Sequence, residues 1–349
     1  MKIFCWLFIA ILGRSINAKH LRRDTEWKTV NNTIFLNDQP VRIKGITWNG
    51  FQTEKYVPLG LWRHSMEFYL DLLKQNHINA IRVPFSLEFT QDFGRMPDPA
   101  SIKNDVEMTN RTSIEILDAL FEKAFRKDIL IVLNLNRLHK DFHSNAIMDD
   151  YYSEDDFLEA WYFLLDRYGH YKNMFGIDIY EEPGFPPTTH IQWRHFTEKF
   201  IDRIRARYPK KKWLFFIQGL NRNENFMDMN CSYPVSMTNQ IIFTPHIWDD
   251  QTESKSPISN LYEDWNRSFG HLGAQGKTVV ISKMFTSTSF WMIFVKDYLI
   301  AQEFRNVFLF SLEHSDIYGI LDEKWMSVRT DKMNLLEKIQ PNATIKFSF

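Results

Sequence analysis

Short apolar runs rich in β-branched and aromatic residues alternate along most of this chain with segments whose apolar residues recur at helical spacing. One such helical face consists of Met66, Tyr69, Leu70 and Leu73. Runs of the first kind predict strands. They span residues 41–47, 79–84, 129–135, 175–180, 213–218, 241–245, 278–282 and 307–311.

These strands are apolar throughout rather than alternating, which indicates a parallel sheet with both faces covered. Eight strand-helix units in about 300 residues favour a single α/β domain of the (β/α)8 TIM-barrel class over an open doubly wound sheet. No glycine-rich phosphate-binding motif follows the first strand, which disfavours a nucleotide-binding fold. Residues 31–41, with Asn37-Asp38 between two strand-like pieces, predict a small N-terminal β-hairpin under the barrel.

The N-terminus has the pattern of a signal peptide. Lys2 precedes an unbroken apolar run over residues 3–12, and small and polar residues follow down to Ala18. The run is shorter than the ~20 residues that span a bilayer. We therefore predict a signal peptide at residues 1–18, a barrel over residues 19–349, and a secreted, extracellular protein.

Removal of the predicted signal peptide would leave only one of the two cysteines in the chain. Cys5 leaves with the signal peptide, so Cys231 has no partner for an internal disulfide. A large core must then hold the fold together. Five glycosylation sequons agree with the secretory route and predict a glycoprotein; they begin at Asn31, Asn110, Asn230, Asn266 and Asn342.

The overall charge is almost balanced, with 42 basic and 43 acidic residues. This balance gives no reason to expect a nucleic acid or an anionic membrane as partner. We expect a monomer that uses no cofactor and no metal.

Two of the predicted strands end in charged residues. Glu181 and Glu182 follow the fourth strand, and Lys283 ends the seventh. Seven stretches in order along the chain, one of which contains Glu182, resemble glycoside hydrolase family 5, the clan of cellulases, mannanases and related β-glycanases. The resemblance runs from about residue 27 to residue 325. Its landmarks are residues 45–51, 58–62, 79–86, 134–137, 182–183, 244–248 and 311–321.

The resemblance implies an O-glycosyl hydrolase of retaining mechanism, in which two carboxyl groups about 5–5.5 Å apart act as acid/base and nucleophile. The acid/base position falls on Glu182, and the nucleophile position falls on Lys283. A lysine ammonium cannot attack the anomeric carbon and would repel the positive charge that grows there. It would also lower the pKa of Glu182, which would then have no proton to donate. We predict an ion pair between the two residues and a catalytically impaired pseudoenzyme.

Other positions depart from the family in the same region. Glu181 replaces an asparagine that holds a sugar hydroxyl, Asn136 replaces a histidine, and Asn134 replaces an aspartate. Phe310 stands where the family has a tryptophan under the sugar ring. Glu181, Glu182 and Lys283 sum to one negative charge, as the family's site does. Since neighbouring strand residues point to opposite faces, Glu181 is predicted to face away from its neighbour.

Several residues that would hold a sugar persist by this resemblance. Aromatic faces stack on pyranose rings, and we favour Trp48 and Trp248 as platforms over Trp62 and Trp291. Arg82 is expected to support the glutamate rather than to contact ligand. The predicted substrate-binding residues are Arg82, Asn136, Glu181, His246, Trp248, Trp48 and Phe310.

Three functions remain open from the sequence. The first is a secreted, impaired barrel that binds a β-linked polysaccharide or oligosaccharide, or a protein partner. The second is an active hydrolase with a relocated nucleophile, for which Glu313 is the best candidate, although we expect Glu313 to be solvated in its loop. The third is a protein-interaction barrel that binds no sugar.

Overall fold

The computed structural model describes residues 25–142, 145–184, 189–220, 226, 233–248, 260–315 and 318–349. The predicted signal peptide, Cys231 and the sequon at Asn230 lie outside these residues.

The described chain begins with a three-stranded antiparallel meander, where the sequence predicted only a two-stranded hairpin. Its strands are β1 (Trp27–Val30), β2 (Thr33–Leu36) and β3 (Gln39–Val41). Both turns place two consecutive residues at positive φ, Asn31-Asn32 at 45° and 59° and Asn37-Asp38 at 48° and 67°. Such turns match the twist of paired strands, which explains the asparagine and aspartate at these positions. The sequence analysis did not predict β1, because it began the hairpin at residue 31.

Parallel strands then form one closed barrel, which confirms the predicted fold. They are β4 (Lys44–Thr47), β5 (Ala80–Ser86), β6 (Leu130–Arg137), β7 (Met174–Asp178), β8 (Leu214–Ile217), β9 (Ile241–Phe243), β10 (His246–Ile247), β11 (Ile281–Met284) and β12 (Val307–Leu309). Their order is β10-β11-β12-β4-β5-β6-β7-β8-β9. Since β9 and β10 are two halves of one strand interrupted at Thr244-Pro245, the sheet starts and ends on the same strand. The nine segments are therefore the eight strands of a (β/α)8 barrel.

Helices pack around the outside of the barrel. They are α1 (Met66–Gln75), α2 (Leu87–Gln91), α3 (Ser113–Arg126), α4 (Glu154–Tyr168), α5 (His190–Arg207), α6 (Val235–Thr238), α7 (Leu261–Trp265), α8 (His271–Ala274), α9 (Ser289–Ala301) and α10 (Thr330–Ile339). The predicted face of α1 is its buried face. Among the described residues, no helix combines the length and apolar character needed to cross a membrane.

The barrel interior changes from apolar to polar along its axis. Its lower part packs against the meander in a core separate from the one under the helices, and this inner core includes Ala80, Val132 and Phe216. Two residues further along each strand, on the same inward face, stand Arg82, Asn134 and Gln218, all buried. The carboxyl ends of the strands thus carry a buried polar layer on top of an apolar one.

A bulge in β11 decides which residue of the seventh strand faces this polar layer. Ile281 and Met284 both belong to the core under the helices. Ile281 pairs with Val307 and Met284 pairs with Leu309, so β11 advances by three residues while β12 advances by two. The extra residue breaks the alternation, and Lys283 points into the barrel.

We predict that Trp27→Ala destabilises the protein by about 3–5 kcal/mol, because this ring closes the bottom of the barrel. Trp27 is 1 % exposed and lies 5.4 Å from the ring of Phe175. Urea unfolding would measure the change. Val30→Ala is the matched control on the same strand, since Val30 is 48 % exposed, and it should shift stability by less than about 0.5 kcal/mol. Equal effects of the two changes would contradict a sealing role for the meander.

Candidate active site

The polar layer at the carboxyl ends of the strands gathers most of the predicted site residues. Arg82 lies in β5, His246 in β10 and Lys283 in β11, while Glu181 and Glu182 follow β7. All five are buried. Carboxyl ends of barrel strands are where enzymes of this fold place their active sites.

The ammonium of Lys283 lies between two carboxylates and against aromatic rings. Its Nζ is 3.1 Å from Glu181 Oε1 and 3.4 Å from Glu182 Oε1. The same nitrogen lies 4.8 Å from the ring centre of Trp248 and 4.7 Å from that of Phe310. Lys283 is 9 % exposed. The expected Glu182–Lys283 contact is therefore present, with Glu181 as an additional partner.

The prediction that Glu181 faces away from Glu182 is wrong. β7 ends at Asp178, so strand alternation no longer applies to the two glutamates. Glu182 also adopts a left-handed backbone conformation, with φ of 46°. This turn brings both carboxylates to the same ammonium.

A second cation, Arg82, holds the other side of Glu181. Its Nε donates to Asp178 Oδ2 at 2.8 Å, and its guanidinium also pairs with Glu181. Gln218 Nε2 donates to Asp178 Oδ1 at 2.8 Å and to Glu181 Oε2 at 3.1 Å. Gln218 Oε1 accepts the backbone N–H of Glu182 at 2.7 Å. Arg82 thus supports Glu181 directly, whereas the sequence analysis expected it to support the acid/base residue Glu182.

Asp178 and Gln218 were missed by the sequence analysis, although a signal was available. Both lie within the predicted fourth and fifth strands, and Gln218 follows the inward-facing Phe216 by two residues. A polar side chain on the inward face near the end of a barrel strand is a site candidate.

The charges of this cluster set its pKa values. Burial alone would raise the pKa of Glu182, but the Lys283 charge and the His246 hydrogen bond hold this pKa below its ordinary value. Burial is likewise outweighed at Glu181, where Arg82 and Lys283 hold the pKa well below its ordinary value. Burial raises the pKa of Asp178 to about 6, against the opposing charge of Arg82. At neutral pH the two cations face three carboxylates.

His246 contacts the cluster from the sixth strand. Its Nδ1 lies 2.8 Å from Glu182 Oε1, and its Nε2 has no hydrogen-bond partner among the described residues. Burial lowers the pKa of His246, despite the neighbouring carboxylates. Ligand atoms of Glu181, Glu182 and His246 lie within 4.8 Å of one another, a spacing that could suit a metal ion. The Lys283 ammonium already contacts both carboxylates and would repel such an ion.

One family model matches most of the chain. Residues 37–296 match the model described as Cellulase (glycosyl hydrolase family 5). The chain belongs to glycosyl hydrolase family 5. An endoglucanase of Paenibacillus polymyxa is 23% identical over 88% of this chain and 85% of its own length. The major extracellular endoglucanase of Xanthomonas campestris is 23% identical over 89% of this chain and 71% of its own length.

Solved family 5 structures share the fold. The endocellulase from Pyrococcus horikoshii superposes with a TM-score of 0.82 at 24% identity, covering 90% of this chain and 98% of that one. The same enzyme in complex with cellotetraose gives a TM-score of 0.82, covering 92% and 100% of the two chains. The catalytic domain of the Xanthomonas campestris endoglucanase gives 0.81 at 21% identity, covering 90% and 100%.

The predicted sugar platforms of this family 5 chain separate into core and mouth residues. Trp48 is 1 % exposed and donates its indole N–H to the Leu59 carbonyl at 2.8 Å. It is a core residue and offers no ring face to a ligand, which corrects the expectation. Trp291 is also buried, whereas Trp62 is half-buried and packs on Trp325. Trp248 is half-buried at the mouth, so the platform prediction now rests on that ring.

Three further substituted positions lie at the ends of β6 and β12: Asn134, Asn136 and Phe310. Asn136 is buried; its Nδ2 lies 3.5 Å from Asn134 Oδ1, and its Oδ1 accepts from Arg137 at 3.1 Å. Phe310, half-buried at the end of β12, covers the ammonium of Lys283 with its ring.

Glu313 is not solvated, contrary to expectation. It is buried, and both of its oxygens are used by Asn49: Oε1 accepts the backbone N–H at 2.8 Å and Oε2 accepts the side-chain amide at 3.2 Å. Burial raises the pKa of Glu313. The carboxyl therefore holds the loop after the first barrel strand.

We predict that Lys283→Met lowers stability at pH 7 by about 3–5 kcal/mol, because it leaves buried carboxylates without their cation. It should also change the acid limb of the stability curve. Carboxyls with depressed folded pKa values stabilise the fold above their ordinary value of 4.5, and this contribution is lost as pH falls through the folded pKa values. Without Lys283 the pKa of Glu182 rises, so stability should fall less steeply below pH 4.5 than in the wild type.

Urea unfolding of both proteins between pH 3 and 8 would measure this, since the difference between the curves removes contributions from unaffected groups. Lys210→Met, at an exposed lysine, is the control and should leave the curve unchanged. Parallel curves for wild type and Lys283→Met would show that the ammonium does not set these pKa values.

Proposed function

We propose that this family 5 barrel is a secreted protein that binds a β-linked glucan without hydrolysing it. The observation that carries the proposal is the Lys283 ammonium in contact with Glu181 and Glu182. This contact places a fixed positive charge where the family reaction develops one on the sugar.

Both chemical steps of a retaining hydrolysis lack their group here. The reaction needs a carboxylate that attacks the anomeric carbon and a carboxylic acid that protonates the leaving oxygen. Lys283 supplies no lone pair while its ammonium is paired with two carboxylates. Glu182, whose pKa is lowered beside that ammonium, stays ionised near neutral pH and has no proton to give.

Neither of the nearby glutamates is a good replacement nucleophile. Glu181 is fully buried, with Oε1 on Lys283 and Oε2 on Arg82 and Gln218. Glu313 is buried, and both of its oxygens accept hydrogen bonds from Asn49 in the loop after β4. These contacts favour the impaired barrel over the relocated-nucleophile alternative.

Glucan binding is supported by the aromatic rings that remain at the mouth. Trp248 and Phe310 are half-buried beside Lys283, and aromatic faces of this kind stack on pyranose rings. The relatives named above are endoglucanases, and the Pyrococcus horikoshii endocellulase has a cellotetraose complex. A β-1,4-linked glucan is therefore the ligand class to test first.

The activity test compares the wild type, Lys283→Glu, and Lys283→Glu combined with Glu181→Asn on a panel of β-glucans and mannans. We predict that the wild type releases no reducing sugar and that the double variant releases a detectable amount. The single variant should be weaker, because it adds a fourth carboxylate to a cluster balanced by Arg82 alone. Glu181→Asn relieves this repulsion and restores an amide next to the acid.

If the wild type hydrolyses a glycan and Glu182→Ala abolishes this activity, the proposal is contradicted. Another carboxylate would then have to act as the nucleophile. If all three proteins are silent and none binds glucan, the cleft has lost its sugar function, which leaves a protein-interaction barrel.

Secretion forms part of the same proposal and has its own test. The four sequon asparagines within the described residues are all exposed: Asn31, Asn110, Asn266 and Asn342. Expressed in a eukaryotic secretory host, the protein should appear in the medium without residues 1–18 and lose mass on N-glycosidase treatment. Asn110→Gln should remove one glycan's mass. Retention in the cell with an intact N-terminus would contradict the prediction.

A further inference from the structure

An aromatic cluster stands on the loop that follows β6. The Tyr151 platform consists of the rings of His139, Phe142 and Tyr151. Phe142 stacks on His139 with ring centres 5.1 Å apart and 15° between planes, and Tyr151 meets the same imidazole edge-on at 5.7 Å. Phe142 is 55 % exposed and Tyr151 is 81 % exposed. Two large rings thus remain open to solvent while a third supports both.

A single carboxylate organises the platform. Asp149 Oδ2 lies 2.6 Å from His139 Nε2, and its Oδ1 accepts the backbone N–H groups of Tyr151 and Tyr152, both at 2.9 Å. The backbone N–H of Asp149 donates to the Tyr152 carbonyl at 3.0 Å. The supporting imidazole and the backbone that carries Tyr151 are therefore fixed by the same side chain, which lowers the entropy lost when a ligand binds.

The platform loop is joined to the segment that carries the glutamates. Gly184 N–H donates to the Asn145 carbonyl at 2.7 Å, and the Tyr180 hydroxyl donates to the Ala146 carbonyl at 2.6 Å. A Cβ atom on Gly184 would lie 2.0 Å from the Cβ of Asn145, so only glycine permits this contact. These contacts fix the platform loop to the segment that follows β7 and carries Glu181 and Glu182.

Three exposed acidic residues flank the platform in the sequence. Asp141, Asp150 and Asp155 are exposed next to the platform in sequence. Their charge repels sulfated or uronic polysaccharides, whereas a neutral sugar chain meets only ring faces and hydrogen-bonding groups.

We propose that the Tyr151 platform is a separate binding subsite for a neutral β-linked glucan, used together with the mouth to hold the polymer. This inference rests on the proposed function, because it assumes that the protein binds glucan. It names residues that bind glucan outside the cluster around Lys283. It also specifies that the bound polymer is uncharged. Stacking of Phe142 and Tyr151 on sugar rings needs no chemistry at Lys283, so the platform serves a barrel that holds its ligand without cleaving it.

The test is affinity electrophoresis of the full chain in gels that contain barley β-glucan or, separately, alginate as an anionic polysaccharide. The variants are Tyr151→Ala, Phe142→Ala, their combination, and Trp248→Ala at the mouth. Each platform change should weaken β-glucan binding about three- to tenfold, the range expected for one aromatic contact, and the double variant should weaken it further. Tyr151→Phe should bind like the wild type because it keeps the ring.

Val106→Ala is the surface control, since Val106 is 81 % exposed on a different loop. It should leave binding unchanged, and equal thermal unfolding midpoints would show that the platform variants are folded. The wild type should not bind alginate.

If the wild type binds β-glucan and the double platform variant binds it equally well, the platform inference fails and the proposed function stands. If the wild type binds no glucan, both fail. Binding of alginate as tight as that of β-glucan would overturn the assignment to neutral chains. Loss of binding in the platform variants but not in Trp248→Ala would place the main glucan contact on the Tyr151 platform.

Discussion

The contact between one buried ammonium and two buried carboxylates governs the upper half of this barrel. Removing ionised groups from water is costly unless each is paired and hydrogen-bonded. Glu181 meets this condition with Lys283 on one side and with Arg82 and Gln218 on the other. Glu182 meets it with Lys283, His246 and a backbone bond to Gln218. The cluster is therefore a structural unit in which each buried carboxylate has its hydrogen-bonded partners.

The remainder of the fold holds this cluster in place through two separate cores. The core under the helices fixes the strands from outside, and the inner core, sealed by the meander, fixes them from within. Arg82 sits directly above the inner core, where it pairs with Asp178 and Glu181. Since the pKa of Asp178 is raised to about 6 by burial, mild acidification would leave Arg82 and Lys283 facing two ionised carboxylates instead of three.

Local pattern was enough to predict the eight strands and the buried face of α1, because both follow from hydrophobic periodicity. The contact of Glu182 with Lys283 was predicted from the family resemblance, which assigns these two residues to facing positions of the site. Features that depend on backbone departures were not predictable in this way. The left-handed conformation of Glu182 turned Glu181 towards its neighbour. Trp48 is of a residue type that commonly stacks on sugars, but it is buried by the loop that provides the Leu59 carbonyl. Glu313 was misplaced for the same reason, because its partner Asn49 lies far away in the chain.

The bulge in β11 has a consequence for how such a site can change. Ser282 and Lys283 lie between two outward-facing residues, Ile281 and Met284, and the extra residue determines that the lysine enters the barrel. A change in strand length by one codon would rotate every later residue of the strand to the opposite face. An insertion or deletion at this position would therefore change which side chain enters the barrel, as a substitution of Lys283 would. A comparison of this site between related proteins should therefore first count the backbone residues between Ile281 and Met284 and only then compare the side chains.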